Sequence, residues 1–214
     1  MKIAVLTTDR GHPVFPHLQQ WQQAMTGRGH TVSLHLDRKE LGGGDILFLV
    51  SCSQIIHQPD REKFRVVLVL HASDLPKCRG WSPHIWAIVK GAKQITLCLL
   101  EAAEPVDTGA IWLKTTFTLE GHELLPEINA KLFAAELELM TRGVEGFGSI
   151  VPQPQIGEPG PYQSKRSPED SRLDPHKSLA DQFDILRVVD NDRYPAFIEH
   201  RGQRYLLKIE KTKS

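Results

Sequence analysis

The sequence has no long apolar run, few cysteines and no excess of either charge, and each shortage removes a class of function. No stretch approaches the roughly 20 apolar residues that a membrane helix needs. The amino-terminal Ile3-Ala4-Val5-Leu6 is too short for a signal peptide, so a soluble, cytoplasmic protein with no membrane partner is expected. Lys+Arg and Asp+Glu each number 26 in 214 residues, a formal net charge of zero. A general nucleic-acid binder carries a basic excess, so nucleic acid is not an expected partner. The three cysteines, Cys52, Cys78 and Cys98, form no Cys-x-x-Cys pair and no zinc spacing. They point to a reducing compartment and to no metal.

What is present is ordinary globular material, 40% hydrophobic and 24% charged. That is enough for one substantial core with a small appended subdomain. Ile3–Thr8 reads as a first buried strand, and Phe15, Leu18, Trp21 and Met25 fall at helical spacing over 15–26. Gly27, Arg28 and Gly29 end that helix. Thr31–Leu36 alternates as a strand near an edge, Gly42–Asp45 is a turn, and Ile46–Val50 is a third strand. A connection with Ile55 and Ile56 and a turn at Pro59-Asp60 lead to the run Val66–Leu70, which ends abruptly in His71-Ala72-Ser73-Asp74. A helix over 83–90, strands over 95–100 and 110–119, and a long helix over 122–140 follow. Gly143, Gly146 and Gly148 are expected to finish that helix. His30 and His35 read as surface residues.

The texture changes at Pro152. Five prolines and two glycines lie between Pro152 and Pro168, as in an extended linker. Beyond it a helix is expected over 175–189 and a β-hairpin over 196–209, turning at Arg201-Gly202. The hairpin edge invites pairing, so a homodimer is expected.

Ligands gather at the carboxyl ends of strands in open α/β sheets, which makes His71 the first candidate for chemistry. Asp107 follows the next strand, and sequential strands are commonly neighbours. A carboxylate beside an imidazole fixes the ring and favours its charged form, as a proton shuttle needs. Taken alone, His71 is more simply a satisfied polar residue at a strand end.

The run His71-Ala72-Ser73-Asp74-Leu75-Pro76-Lys77-Cys78-Arg79-Gly80-Trp81-Ser82-Pro83, followed by Val106-Asp107-Thr108-Gly109, resembles the signature of the 10-formyltetrahydrofolate-dependent formyltransferases. Lys165–Asp174 and the segment from Arg187 through Tyr194-Pro195-Ala196-Phe197 resemble the second half of the sugar N-formyltransferases, a branch related to methionyl-tRNA formyltransferase. The version of the motif here is most similar to enzymes of bacterial surface-glycan synthesis, including the pseudaminic acid pathway.

The resemblance implies an α/β, Rossmann-like sheet with helices on both faces, plus a small C-terminal helix and β-hairpin. It divides the chain into a catalytic domain (1–150), the Pro-rich linker (151–168) and a C-terminal subdomain (169–214). It implies formyl transfer from 10-formyltetrahydrofolate to the primary amine of an amino sugar, nucleotide-linked. His71 and Asp107 are the implied catalytic residues. The folate would lie between Ser51, Cys52, Ser53, Gln54 and Ile55 on one side and Glu101, Ala102, Ala103 and Glu104 on the other. Arg10, His12, Ser73, Arg79, Gly80 and Trp81 are the candidate substrate contacts, Arg10 and His12 where this fold receives phosphate. One departure stands out. The family pairs an asparagine with the histidine two residues on, and this chain has Val69 there. Ser73 or a backbone N–H would have to replace that oxyanion donor. Glycinamide ribonucleotide formylation, or folate or nucleotide binding with impaired catalysis, remain alternatives.

Overall fold

Alternating side chains along the strands sort the core into two layers, as buried strands require. In the computed structural model, which describes residues 1–212, the chain runs β1 (Lys2–Leu6), α1 (Phe15–Gly27), β2 (Thr31–His35), β3 (Gly44–Leu49), α2 (Gln58–Arg61) and β4 (Phe64–His71). Then come β5 (Arg79–Gly80), α3 (Pro83–Val89), β6 (Gln94–Glu101), β7 (Ile111–Thr118) and α4 (Leu125–Glu145). The last part holds β8 (Tyr162–Gln163), α5 (Phe183–Leu186), β9 (Ala196–His200) and β10 (Gln203–Leu207). Positions 213 and 214 of the expected C-terminal subdomain lie outside the described residues.

Six strands form one sheet in the order β2-β1-β3-β4-β6-β7. The four from β2 to β4 are parallel. β6 is antiparallel to β4, and β7 to β6. Ile3, Val5, Ile46, Phe48, Leu68, Leu97 and Leu99 face one layer, covered by α1, α3 and α4 through Leu18, Trp21, Ile85, Ile88, Leu132 and Leu139. Ala4, Leu6, Leu47, Leu49 and Val67 face the other layer. There the cover is thinner, made by Leu41, Ile56 and the connection that carries the one-turn α2. The helices thus flank the sheet unequally.

Several local expectations change. Gly44 and Asp45 belong to β3 and not to a turn, because the Lys2 amide donates to Asp45 Oδ2 at 2.8 Å. The Pro59-Asp60 turn is the helix α2. α4 runs on through Gly143, which lies directly against Leu99 of the sheet. The helix expected over 175–189 is reduced to a 3₁₀ turn at 180–182 and the four residues of α5. The buried Gln182 side chain explains the loss: it bonds the Asp174 amide and the carbonyls of Asp174, Lys177 and Ser178. Such side-chain bonds offer the backbone an alternative to the helix.

The hairpin β9–β10 forms as read. It packs with Leu173, Leu186 and Val189 in a small core of its own. The Pro-rich stretch is extended but not free. β8 pairs in parallel with β5, and Gln153 bridges to Ile111. No helix among the described residues is long and apolar enough to cross a membrane.

Candidate active site

His71 ends β4 with its side chain only 6% exposed. A buried imidazole must satisfy its ring nitrogens. Nε2 lies 3.0 Å from the Cys78 carbonyl, and since a carbonyl only accepts, Nε2 carries a proton. The Ser73 hydroxyl donates to the same carbonyl. The loop returns on itself this tightly because Ser73 N–H bonds the His71 carbonyl, while Asp74 is tied to β7 by Lys114 at 2.7 Å. Lys114, and after it Lys77, hold the Asp74 carboxyl below the usual range.

Nδ1 of His71 faces Asp107, whose Oδ1 is 3.5 Å away, and Asp107 is itself only 13% exposed. The route to this meeting is not the one expected. Because β6 is antiparallel to β4, its carboxyl end lies beside Leu68 and not beside His71. The loop 102–110 folds back to bring Asp107 to the histidine. Two features make the return possible. Asp107 adopts a left-handed conformation (φ 62°), uncommon for a residue with a side chain. Gly109 packs on the Glu101 backbone so closely that a Cβ would sit 1.9 Å from its carbonyl oxygen. The other carboxylate oxygen, Oδ2, accepts the Gly80 amide at 3.0 Å.

Arg61 bridges from the end of one loop expected to hold a folate to the other. Arg61 Nη1 bonds both the Ile56 carbonyl (2.8 Å) and Glu104 Oε1 (2.9 Å). Cys52, Ala102 and Val69 pack onto one apolar cluster between them. Burial pushes the Cys52 thiol up, so it stays protonated. Ser51 is left-handed and exposed, Ser53 bonds Thr8 (2.9 Å), and Gln54 accepts the Arg38 amide. The carboxylate of Glu101 accepts Trp112 Nε1, and the Ala102 amide reaches Val67. Ile55 and Val106 are exposed at 58% and 43%. Among the described residues, the amides of Ile55, Ala103 and Glu104 meet no partner. Free amides beside exposed apolar side chains fit a flat, polar-edged heterocycle such as a pterin.

The candidate substrate residues divide. Gly80 touches Asp107 directly, and Arg79 and Trp81 flank it. The Arg79 Nε is buried without a partner, and Trp81 is half-exposed with Lys165 5.3 Å above its ring. The hydroxyl of Ser73, the candidate replacement donor, gives its proton to the Cys78 carbonyl. Among the described residues, neither Arg10 nor His12 forms a hydrogen bond or ion pair with His71. Arg10 lies over Phe15. His12 lines a cavity of about 760 Å³, with His17, Phe133, Arg187 and Arg193. Burial, and then Arg193, lower the His12 pKa.

Two residues of this region carry no signal in the sequence. His84, on the first turn of α3, is driven down to a pKa of about 4 by burial, with His71, His12 and Arg166 adding to the effect. It is neutral at pH 7. Gln155, within the Pro-rich stretch, donates to the carbonyls of Asp107 and Gly109. Among the described residues no cluster of metal-ligating side chains occurs.

Comparison with known proteins places this geometry. The formyl transferase family profile matches residues 36–144, half of the chain. A methionyl-tRNA formyltransferase of Rickettsia bellii is 32% identical over 131 residues, 60% of this chain and 43% of that protein. The chain spans about half the length, or less, of the curated relatives it matches. Among solved structures, methionyl-tRNA formyltransferase from Clostridium thermocellum superposes with a TM-score of 0.83 at 24% identity, covering 100% of this chain and 94% of that one. HypX from Aquifex aeolicus, in complex with tetrahydrofolic acid, gives 0.80 at 24% identity over 98% of this chain and 37% of its own. A sugar N-formyltransferase from a Shewanella species gives 0.74 at 15% over 100% and 99%. At these identities the structures speak for the fold, and the sequence profile for the family. By that profile, the chain belongs to the formyl transferase family.

Proposed function

We propose that this protein transfers a formyl group from 10-formyltetrahydrofolate to the primary amine of an amino sugar, carried on a nucleotide. The observation that carries the reading is the buried His71–Asp107 pair, set beside two loops with free amides and exposed apolar side chains. The sugar reading draws on the motif beyond residue 165, on the balanced charge, and on the sugar N-formyltransferase that shares the fold.

When bound, the folate would supply the formyl group, its bond from the formyl carbon to the folate nitrogen breaking as the bond to the amine forms, and the proton shed by the amine would pass in the end to that departing nitrogen. An attacking amine must shed a proton. The Cys78 carbonyl fixes the proton on Nε2 of His71, which leaves the Nδ1 edge, facing Asp107, to receive it. The carboxylate then stabilises the imidazolium, and the Gly80 amide keeps Oδ2 turned so that Oδ1 faces the ring. Arg79, adjacent in the chain to the Gly80 that contacts Asp107 and with a buried, unpaired Nε, is the cation we assign to the anionic part of the substrate.

The test is an assay of purified protein with 10-formyltetrahydrofolate and a panel of amino-sugar nucleotides, read as a mass gain of one formyl group. Transfer to an amino sugar in preference to glycinamide ribonucleotide or methionyl-tRNA is expected. Preference for either of those would overturn the substrate assignment. Val69 favours a second reading. It packs into apolar clusters, and offers no hydrogen bond where the family has an amide donor. Loss of one such donor costs on the order of 10²–10³ in rate. Calorimetric binding of folate with no transfer to any amine would select binding without turnover.

A further inference from the structure

The segment that reads as a linker holds the candidate carboxylate from two sides, and we propose that Gln155 is a positioning residue that sets Asp107 against His71. The inference rests on the formyl-transfer reading above for its effect on rate, though not for its effect on structure.

Gln155 Nε2 donates to the carbonyls of Asp107 and Gly109, each at 2.9 Å. One amide group, with its two protons, thus spans both sides of Thr108. The left-handed Asp107 is an uncommon conformation that persists only where its surroundings impose it. From the sheet side, Gly109 is pressed on the Glu101 backbone and the Thr108 hydroxyl bonds the Pro105 carbonyl. From the other side, Gln155 supplies the donors that these two turn carbonyls use.

The same segment also acts on the carboxylate through Gly80. Tyr162–Gln163 pair with Arg79–Gly80, and the Trp81 amide bonds the Gln163 carbonyl at 3.0 Å. Gly80 is thereby held with its own amide on Asp107 Oδ2. The distance being set is critical. At 3.5 Å, Oδ1 and Nδ1 are within ion-pair range once the ring is protonated, and the attraction weakens as they part. A glutamine is needed at position 155 because only a donor can face two carbonyls. A glutamate of the same shape would set acceptor against acceptor.

The experiment compares wild type with Gln155→Glu, in the full chain. Two readouts are taken: kcat and KM for the amine, and the NMR resonance and hydrogen exchange of the Gly80 amide. In Q155E, kcat is expected to fall about 10- to 100-fold, the loss that ångström-scale misplacement brings, with KM for the amine changed by less than about twofold. The Gly80 amide should move upfield and exchange faster. Lowering the pH returns a proton to the introduced carboxyl, and with it one donor, so the deficit relative to wild type should narrow. A loss merely of fold would also lower kcat at unchanged KM, but it would disturb amide resonances throughout the chain rather than at Gly80, and it would not recover at lower pH. Unchanged kcat with an unmoved Gly80 amide overturns the proposal. Should Q155E fail to fold, Gln155→Asn, which keeps the donor on a shorter arm, is read by kcat, KM and the Gly80 amide alone, without the pH recovery. If the wild type formylates no amine, the proposed function fails while the Gly80 amide still decides the role of Gln155.

Discussion

The two halves of the candidate pair are held in opposite ways. His71 stands at the end of a central strand and donates its hydrogen bond to a carbonyl seven residues on. Asp107 lies in a loop, and its contacts come from Gly80 and Gln155, 27 and 48 residues away in sequence. The histidine is positioned by the sheet. The aspartate is positioned by a convergence of three separate segments, and its geometry is therefore the more vulnerable to change at a distance.

That difference can be broken most severely at Gly80. Its φ is 98°, and a Cβ there would lie 2.3 Å from the Gln163 carbonyl oxygen. Gly80→Ala must therefore part β5 from β8 and withdraw the amide from Asp107. A loss of about 1–3 kcal/mol of stability is expected from the strained backbone, seen by denaturant melting. Turnover should fall about 100-fold from misplacement of the carboxylate, and a near-normal rate would show that Asp107 does not depend on this contact.

A second carboxyl sharpens the comparison with a smaller effect. Glu136 of α4 is buried with Oε2 unpartnered, and burial pushes its pKa up to about 8. Asp107 has partners from two loops, whereas Glu136 has only the cost of its burial. The unfolded chain releases this proton near the ordinary pKa of 4.5, whereas the folded protein keeps it until about pH 8. The unfolded state thus binds fewer protons between those values, and stability falls as pH rises through that window. Glu136→Gln should remove that slope, because the amide does not titrate, so the variant gains on the wild type as pH rises. Melting curves across pH 5–8 check it.

The sheet was legible because its signals are local. Three-valine β4 ending at His71, the edge alternation of β2 and the apolar spacing of α4 each follow from burial of one face or two. Strand direction is not local: periodicity is the same whichever way β6 runs, and its antiparallel course is what forces the loop of Asp107 to fold back. Gln155 and Gln163 were illegible for a related reason. Their surroundings of proline and glycine signal only the absence of helix, while their function lies in pairing with chain far away. The expected helix over 175–189 failed because the spacing of Leu179, Phe183 and Leu186 carries no information about Gln182, whose side chain captures the backbone. Ser73, expected at the substrate, turned inward because Cys78 offers a carbonyl within its reach. Asp107 itself was found through its motif, and the structure supplies the physical reason for the Gly109 that follows it.

The most direct measurement is a double-mutant cycle on His71→Ala and Asp107→Asn, with kcat/KM for formyl transfer to the preferred amine. Each single change should cost about 10²–10⁴-fold, the range for proton transfer by a positioned side chain. If the two act as one unit, the double variant should be no worse than the more severe single variant. Losses that multiply would contradict the pairing of His71 with Asp107, and full activity in either single variant would contradict their assignment as catalytic.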